Sequence, residues 1–332
     1  VRRALAAAIT VILVMALALL QDVPAGEEVA PPATGEQPLV AEESAPLPPG
    51  VPPPGTVLWG AAVGGNDDPV PRHEAPTGQV LGVRRTFFQW DARATGLVTT
   101  AESDLAAGRV PWVSVKTPSW DAMAAGGHDD EIDDLLLALG ALDGPVWLTI
   151  HHEPEGGGGV NAPDDPAGPD GHVGMNRRVR ERLTELEVTN VALVGVFMDW
   201  TWDERSGRDI DEWWADGLYD LLGVDTYRRQ PGSLLTDNWQ RIRTWAQDRD
   251  VPIAVGEWGL RGTDQAAGAH VREWFEMAAA SHADGAGARV VGLAAFDSGL
   301  NSPGGSWELR GAQLEVFHEL LADPRAATWS PR

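Results

Sequence analysis

Two glutamates stand where apolar runs give out. Glu153 closes "VWLTIHHE" and Glu257 closes "VPIAVGE". A pair of carboxyl groups about 5–5.5 Å apart across a sugar ring is the machinery of retaining glycoside hydrolysis. One, protonated, donates to the leaving oxygen and later activates water; the other, ionised, attacks the anomeric carbon. Such a division of labour needs two different environments. Aromatic residues flank the same run ends: Trp258 follows Glu257, Trp200 and Trp202 follow another run, and Trp120 a third. Tryptophan offers a broad, rigid face for a sugar ring, and equally it fills cores. The chain holds 15 Trp against 2 Tyr and 6 Phe, which makes the sugar reading worth pursuing. A metal centre at His151, His152 and Glu153 is disfavoured, because adjacent strand residues point apart and no His-Glu-x-x-His helix is present. No metal and no cofactor is expected.

The elements that must carry these residues read as alternating strands and helices. Strands are expected at Val57–Ala62, Val80–Phe88, Val110–Lys116, Val146–His152, Val191–Met198, Leu221–Tyr227, Ile253–Gly256 and Val290–Phe296. Helical patterns lie between them, among them Glu131–Leu142, Met175–Glu187, Asn238–Asp248, His270–Ala280 and Ala312–Leu321. Alternation of this kind implies parallel pairing, and the strand number and length suit a closed (β/α)8 TIM barrel. No Gly-x-Gly-x-x-Gly turn follows the first strand, which removes a dinucleotide-binding sheet. In a TIM barrel the chemistry sits at the C-terminal strand ends. Those ends carry Arg84 and Arg85, Lys116, His151-His152-Glu153, Asp199, Asp225 and Tyr227, Glu257 and Asp297. One of Arg84 and Arg85 is expected to orient a carboxylate and the other to face the helices. Strict alternation puts His151 and Glu153 on one face and His152 on the other, so a site using both His152 and Glu153 needs a break in the pleat. By the same alternation Ile253, Val255 and Glu257 share a face, as do Gly223, Asp225 and Tyr227.

At this point the chain resembles a family. "TIHHEPEG" is similar to the strand-four acid/base segment of glycoside hydrolase family 26, a branch of the clan A barrels that includes β-mannanases. "VPIAVGEWG" resembles its strand-seven nucleophile segment, and "YDLLGVDTY" its strand-six segment. "VPWVSVK" and "VVGLAAFDS" resemble strands three and eight more weakly. The resemblance implies Glu153 as acid/base, Glu257 as nucleophile, His152 beside the acid/base and Tyr227 hydrogen-bonded to the nucleophile. Trp258, Trp200, Trp202, Trp120, Asp225 and Arg84 are the expected substrate contacts. Pro154-Glu155 and the four glycines Gly156–Gly159 depart from the family's pattern after the acid/base, which marks a divergent branch.

Composition bounds the rest. A net charge of −24 is the opposite of a nucleic-acid footprint. The absence of cysteine excludes disulfides and thiolate chemistry. Arg2 and Arg3 precede the uncharged run Ala4–Leu20, which reads as a signal peptide or retained anchor over residues 1–21. Residues 22–55, rich in proline and acid, read as a disordered linker. The catalytic barrel is then expected over 56–330. The leading expectation is a secreted or membrane-tethered monomer, an endo-acting retaining β-glycosidase acting on a β-mannan or β-glucan type polysaccharide. The alternative is a carbohydrate-binding or envelope barrel without catalysis.

Overall fold

In the computed structural model, residues 47–156, 163–300 and 305–330 are described. The export segment, the linker up to residue 46 and most of the glycine run lie outside them. Eight strands form the sheet: β1 Val57–Val63, β2 Val83–Gln89, β3 Val110–Lys116, β4 Val146–Ile150, β5 Val191–Met198, β6 Leu221–Arg228, β7 Ile253–Leu260 and β8 Val290–Asp297. All neighbours pair in parallel, and β1 pairs with both β8 and β2. The sheet is therefore a closed (β/α)8 barrel. Around it run the short α1 (Ala75–Thr77), α2 (Val98–Ala106), α3 (Trp120–Ala124), α4 (Asp129–Gly140), α5 (Gly168–Glu185), α6 (Asp237–Gln247), α7 (Gln265–Ala280) and α8 (Ala312–Leu321). A last short strand, β9 (Ala326–Ala327), pairs with the start of β1.

Alternation along the strands sorts the apolar residues into two cores. One fills the barrel: Leu58, Val83, Val110, Trp112, Trp147, Ala192, Val194, Val196, Leu221 and Ala254 pack together. The other lies between strands and helices, with Trp59, Val113, Leu148, Ile150, Leu193, Val224, Ile253 and Val255 among its strand members. The inner core is stoppered from below. Trp147 Nε1 donates to Pro49 O at 2.9 Å, Arg289 donates to Pro53 O at 2.8 Å, and Val51 packs on the inner core. The proline-rich segment expected to run disordered to Gly55 thus belongs to the barrel from Leu47 onward. Its carbonyls serve as acceptors at the barrel floor, a role that composition does not reveal.

Candidate active site

Strand four stops two residues early. β4 ends at Ile150, and His151 and Glu153 take left-handed backbone angles, φ 58° and 49°. Such angles cost a non-glycine residue roughly 1–2 kcal/mol each and persist where surroundings impose them. The surroundings are specific. His151 N donates to Val115 O at 2.9 Å and Glu153 N to Val196 O at 3.0 Å, so both flanking strands still hold the segment. Lys116 Nζ donates to His152 O at 2.9 Å and to Asp164 Oδ2 at 2.8 Å. The expected break in the pleat is present, and it removes the face conflict between His152 and Glu153.

His151 faces inward-packed aromatics. Trp120 Nε1 donates to its Nδ1 at 3.1 Å, which leaves Nε2–H to donate to Asp164 at 3.2 Å. Burial, with Lys116 adding to it, lowers the His151 pKa to about 4, so this ring is neutral at ordinary pH. His172 on α5 lies beneath it, edge-on to Trp120 and Phe197, and burial takes its pKa to about 3. His152 leans on Phe87, ring centroids 5.3 Å apart, and burial holds its pKa well below the usual histidine value.

Strand seven contains a bulge. Val255 pairs with Val224, but Glu257 pairs with Asp225, so Gly256 is an extra residue. Ile253 and Val255 face the helices while Ala254 faces the barrel interior. Without the bulge Glu257 would follow Ile253 and Val255 outward, on the face that alternation led them to share; the bulge overturns that expectation. With it, Glu257 turns into the barrel beside Asp225, the local re-aiming that bulges provide. Gly256 is the residue the bulge tolerates. A Cβ there would lie 2.1 Å from Arg85 Nη1 and 2.6 Å from Asp225 Oδ1.

Arg85, Asp225 and Glu257 form a buried group. Arg85 Nη2 lies 3.6 Å from Asp225 Oδ2 and 3.9 Å from Glu257 Oε1, and the Arg85 and Asp225 side chains are fully enclosed. The guanidinium stacks between Trp112, 4.6 Å from the ring centroid, and Phe87 at 5.1 Å. The Tyr227 hydroxyl donates to Glu257 Oε2. A phenol donor and a nearby guanidinium are partners suited to a charged carboxylate. Trp307, in the segment after β8, lies against Tyr227 at 4.8 Å, with Arg261 over its ring at 3.5 Å.

The electrostatics set Glu153 and Asp225 apart from ordinary carboxyls. Burial, then the neighbouring Glu257 and Glu155 charges, push the Glu153 pKa up to about 8. Burial and Glu257 also raise Asp225 well above the carboxylate range, against the pull of Arg85. One guanidinium cannot compensate three carboxylates in so dry a space, so protons remain on part of the group. Glu153, half-buried at the mouth, is a carboxylic acid at neutral pH beside a Glu257 that accepts from Tyr227. Asp199, capping β5, is raised to about 6, chiefly by burial, and accepts from Thr226 at 2.7 Å.

Other expected contacts lie elsewhere. Arg84 faces the helices, pairing with Asp104 at 3.1 Å and donating to Asn66 O at 2.8 Å; its neighbour Arg85 takes the interior place. Trp258 is fully buried behind the strand, stacked on Trp59 at 5.4 Å. Trp120 is buried against His151, and Trp202, 8% exposed, packs edge-on to Trp245. Asp225 lies under Glu257 with no exposed side-chain surface, so it meets Arg85 rather than a ligand. Trp200 alone of the four tryptophans is open, 38% exposed, with Arg205 over its ring at 5.2 Å. Asp297 accepts from Arg72 at 2.8 Å and faces His73 at 2.9 Å, a buried clasp between β8 and the first rim segment. Trp307 and Glu155 were not among the expected site residues. The signal for Trp307 was a tryptophan soon after the last strand, and for Glu155 a second acid two residues beyond the first.

With this geometry in view, the chain can be set beside known proteins. The sequence matches no protein-family model and no curated protein. Solved structures do match. One is a GH26 β-mannanase from Bacteroides ovatus, 16% identical, covering 81% of this chain and 89% of the other with a TM-score of 0.53. Another is a modular endo-β-1,4-mannanase from Cellulomonas fimi, 16% identical over 82% of this chain and 72% of the other, TM-score 0.55. A third is the catalytic domain of a GH26 endo-β-1,4-mannanase from Bacillus sp. JAMB-750, 13% identical over 82% and 87%, TM-score 0.56. This barrel has the GH26 β-mannanase fold. At such identities the likeness concerns the fold.

Proposed function

We propose that this GH26-like barrel is a retaining β-glycosidase acting on a β-linked polysaccharide of the mannan or glucan type. Glu257 attacks the anomeric carbon, and Glu153 passes its proton to the leaving oxygen. Glu153, now a carboxylate, then takes a proton from water as that water opens the glycosyl–Glu257 ester, which restores both groups. The observation that carries the reading is the pairing at one barrel mouth of an acid kept protonated, Glu153, with a carboxylate held by a phenol and faced by a guanidinium, Glu257. The mannanase fold of its structural neighbours favours mannan within the class. Tyr227 and Arg85 fix Glu257, His152 lies beside the acid/base, and Trp200, which is exposed, and Trp307, which lies against Tyr227, offer ring faces for sugars. The basic and apolar start of the chain favours export.

The test is hydrolysis of a panel of β-mannans and β-glucans, read as released reducing ends, by the wild type and by Glu257→Ala. Turnover of at least one glycan that is lost in Glu257→Ala is expected. Equal turnover by both proteins would remove Glu257 from the chemistry, and no turnover by either would leave a binding barrel.

A further inference from the structure

Glu155 stands two residues past the acid/base, where the chain departs from the pattern it resembles. Its side chain is 2% exposed. Oε1 accepts from Thr201 Oγ1 at 2.8 Å and from Met198 N at 3.1 Å, both at the end of β5. Oε2 is buried without a hydrogen-bond partner among the described residues. From the other side Arg208 Nη2 donates to Glu155 O at 3.0 Å and to Gly156 O at 2.9 Å. Side chain and backbone of one residue therefore fasten the turn after Glu153 to two different parts of the β5–β6 connection. The turn needs such fastening: His151 and Glu153 are left-handed, and Gly156 is left-handed as well, φ 80°.

We propose that Glu155 is a positioning residue for the acid/base, tying the Glu153 turn to the strand-five rim and setting a second negative charge beside it. The proposal rests on the glycosidase reading only for the name given to Glu153. A carboxylate that merely braced a loop would do as well as an amide, which accepts the same two hydrogen bonds. An acid costs more to bury than an amide, and unlike an amide it can set a charge beside its neighbours. The groups facing Glu153 are Glu257 on β7, Asp225 and Tyr227 on β6, Lys116 on β3, Arg85 on β2 and its neighbour His152. Those facing Glu155 are Thr201, Met198 N and Arg208, with the Glu153 and Asp225 carboxyls near enough to feel its charge. Burial raises Glu155 to about 7, below the value near 8 of Glu153. A charge on Glu155 opposes the ionisation of Glu153.

The experiment compares the full-length wild type with Glu155→Gln and Thr201→Val, each labelled with carbon-13 at the glutamate carboxyls. The Glu153 signal, assigned by its absence in Glu153→Gln, is followed from pH 4 to 10. In Glu155→Gln its midpoint should fall by about one unit, the scale set by a single nearby charge in a partly shielded interior. The alkaline limb of kcat/KM on soluble β-mannan should move down with it. Thr201→Val removes one donor from Oε1 and keeps the acid, so the Glu155 midpoint should rise towards that of Glu153. This second variant serves as the test should Glu155→Gln fail to fold. An unchanged Glu153 midpoint in Glu155→Gln, or an unchanged Glu155 midpoint in Thr201→Val where the first variant is lost, would overturn the proposal. The carboxyl titration needs no substrate. Absence of mannan turnover therefore counts against the glycosidase reading, and an unmoved midpoint against Glu155.

Discussion

Gly256→Ala is the perturbation that reads the site most economically. The bulge that turns Glu257 inward places the Gly256 α-carbon against Arg85 and Asp225. The new methyl would sit 2.1 Å from Arg85 Nη1, 2.6 Å from Asp225 Oδ1 and 2.8 Å from Arg85 Cζ. Ordinary contact lies near ~3.5 Å, so the guanidinium must retreat by more than about 1 Å. It has nowhere to go, since Phe87 and Trp112 bracket it and its side chain is fully buried. Overpacking of this kind costs about 2–3 kcal/mol. For a domain of this size that is a fall of roughly 3–5 °C in Tm. Displacing Arg85 also moves the partner that faces Glu257, and a misplacement of ~1 Å costs about a hundredfold in turnover. Thermal unfolding by circular dichroism reads the first effect, and reducing-end release from β-mannan the second. The control is Gly174→Ala in α5, whose methyl would meet only Ala124 Cβ, at 3.3 Å, and which should change stability by less than about 1 kcal/mol. A Gly256→Ala protein with wild-type Tm and wild-type turnover would refute the bulge as the device that aims Glu257.

Other substitutions separate framework from site. Arg84→Met strips the buried Asp104 of one of its two guanidinium partners and should cost about 3–5 kcal/mol in urea unfolding, with turnover of the folded protein retained. Arg85→Met takes the cation from beside Asp225 and Glu257, so it should lower kcat as well as stability, read by reducing-end release and urea unfolding. Trp200→Ala should raise KM with little change in unfolding midpoint, whereas Trp258→Ala should cost about 3–5 kcal/mol in denaturant unfolding. Stability should also fall as pH rises. The folded protein holds a proton on Glu153 to about pH 8, while the unfolded chain releases it near the ordinary glutamate value of 4.5. That contribution is complete below the unfolded value and is lost as pH rises through the folded one. Glu153→Gln should therefore be more stable than wild type at pH 9, and the gap should close by pH 4, as measured by guanidinium unfolding midpoints.

How much of this could be read from the sequence follows from what each pattern encodes. The barrel was legible because every strand is an apolar run long enough to cross the sheet, and eight such runs alternate with helical patterns. The break after Ile150 was legible too, as a conflict: His152 and Glu153 cannot share a face of a regular strand. The bulge at Gly256 left no such conflict. "IAVGE" alternates cleanly, and only its pairing with β6 shows the extra residue. Arg84 and Arg85 were a choice of faces, settled by Val83, which points into the barrel and takes Arg85 with it. Trp258, Trp202 and Trp120 carry nothing in their neighbours to separate a core tryptophan from an open one. α2, "VTTAESDLA", escaped notice because its β-branched start and sparse apolar positions give little helical signal. The floor segment from Leu47 escaped because proline carbonyls act as acceptors only once a Trp147 and an Arg289 lie opposite them.

The central claim is that Glu257 is the nucleophile of a double displacement. It is tested most directly by intact-protein and peptide mass spectrometry after incubation with 2-deoxy-2-fluoro β-mannosyl and β-glucosyl fluorides. These reagents form the glycosyl-enzyme ester with loss of fluoride and slow its hydrolysis. A single glycosyl adduct is expected, on the peptide that carries Glu257, and none in Glu257→Ala. An adduct on any other residue, or release of reducing ends from a β-glycan by a protein that forms no adduct, would contradict it.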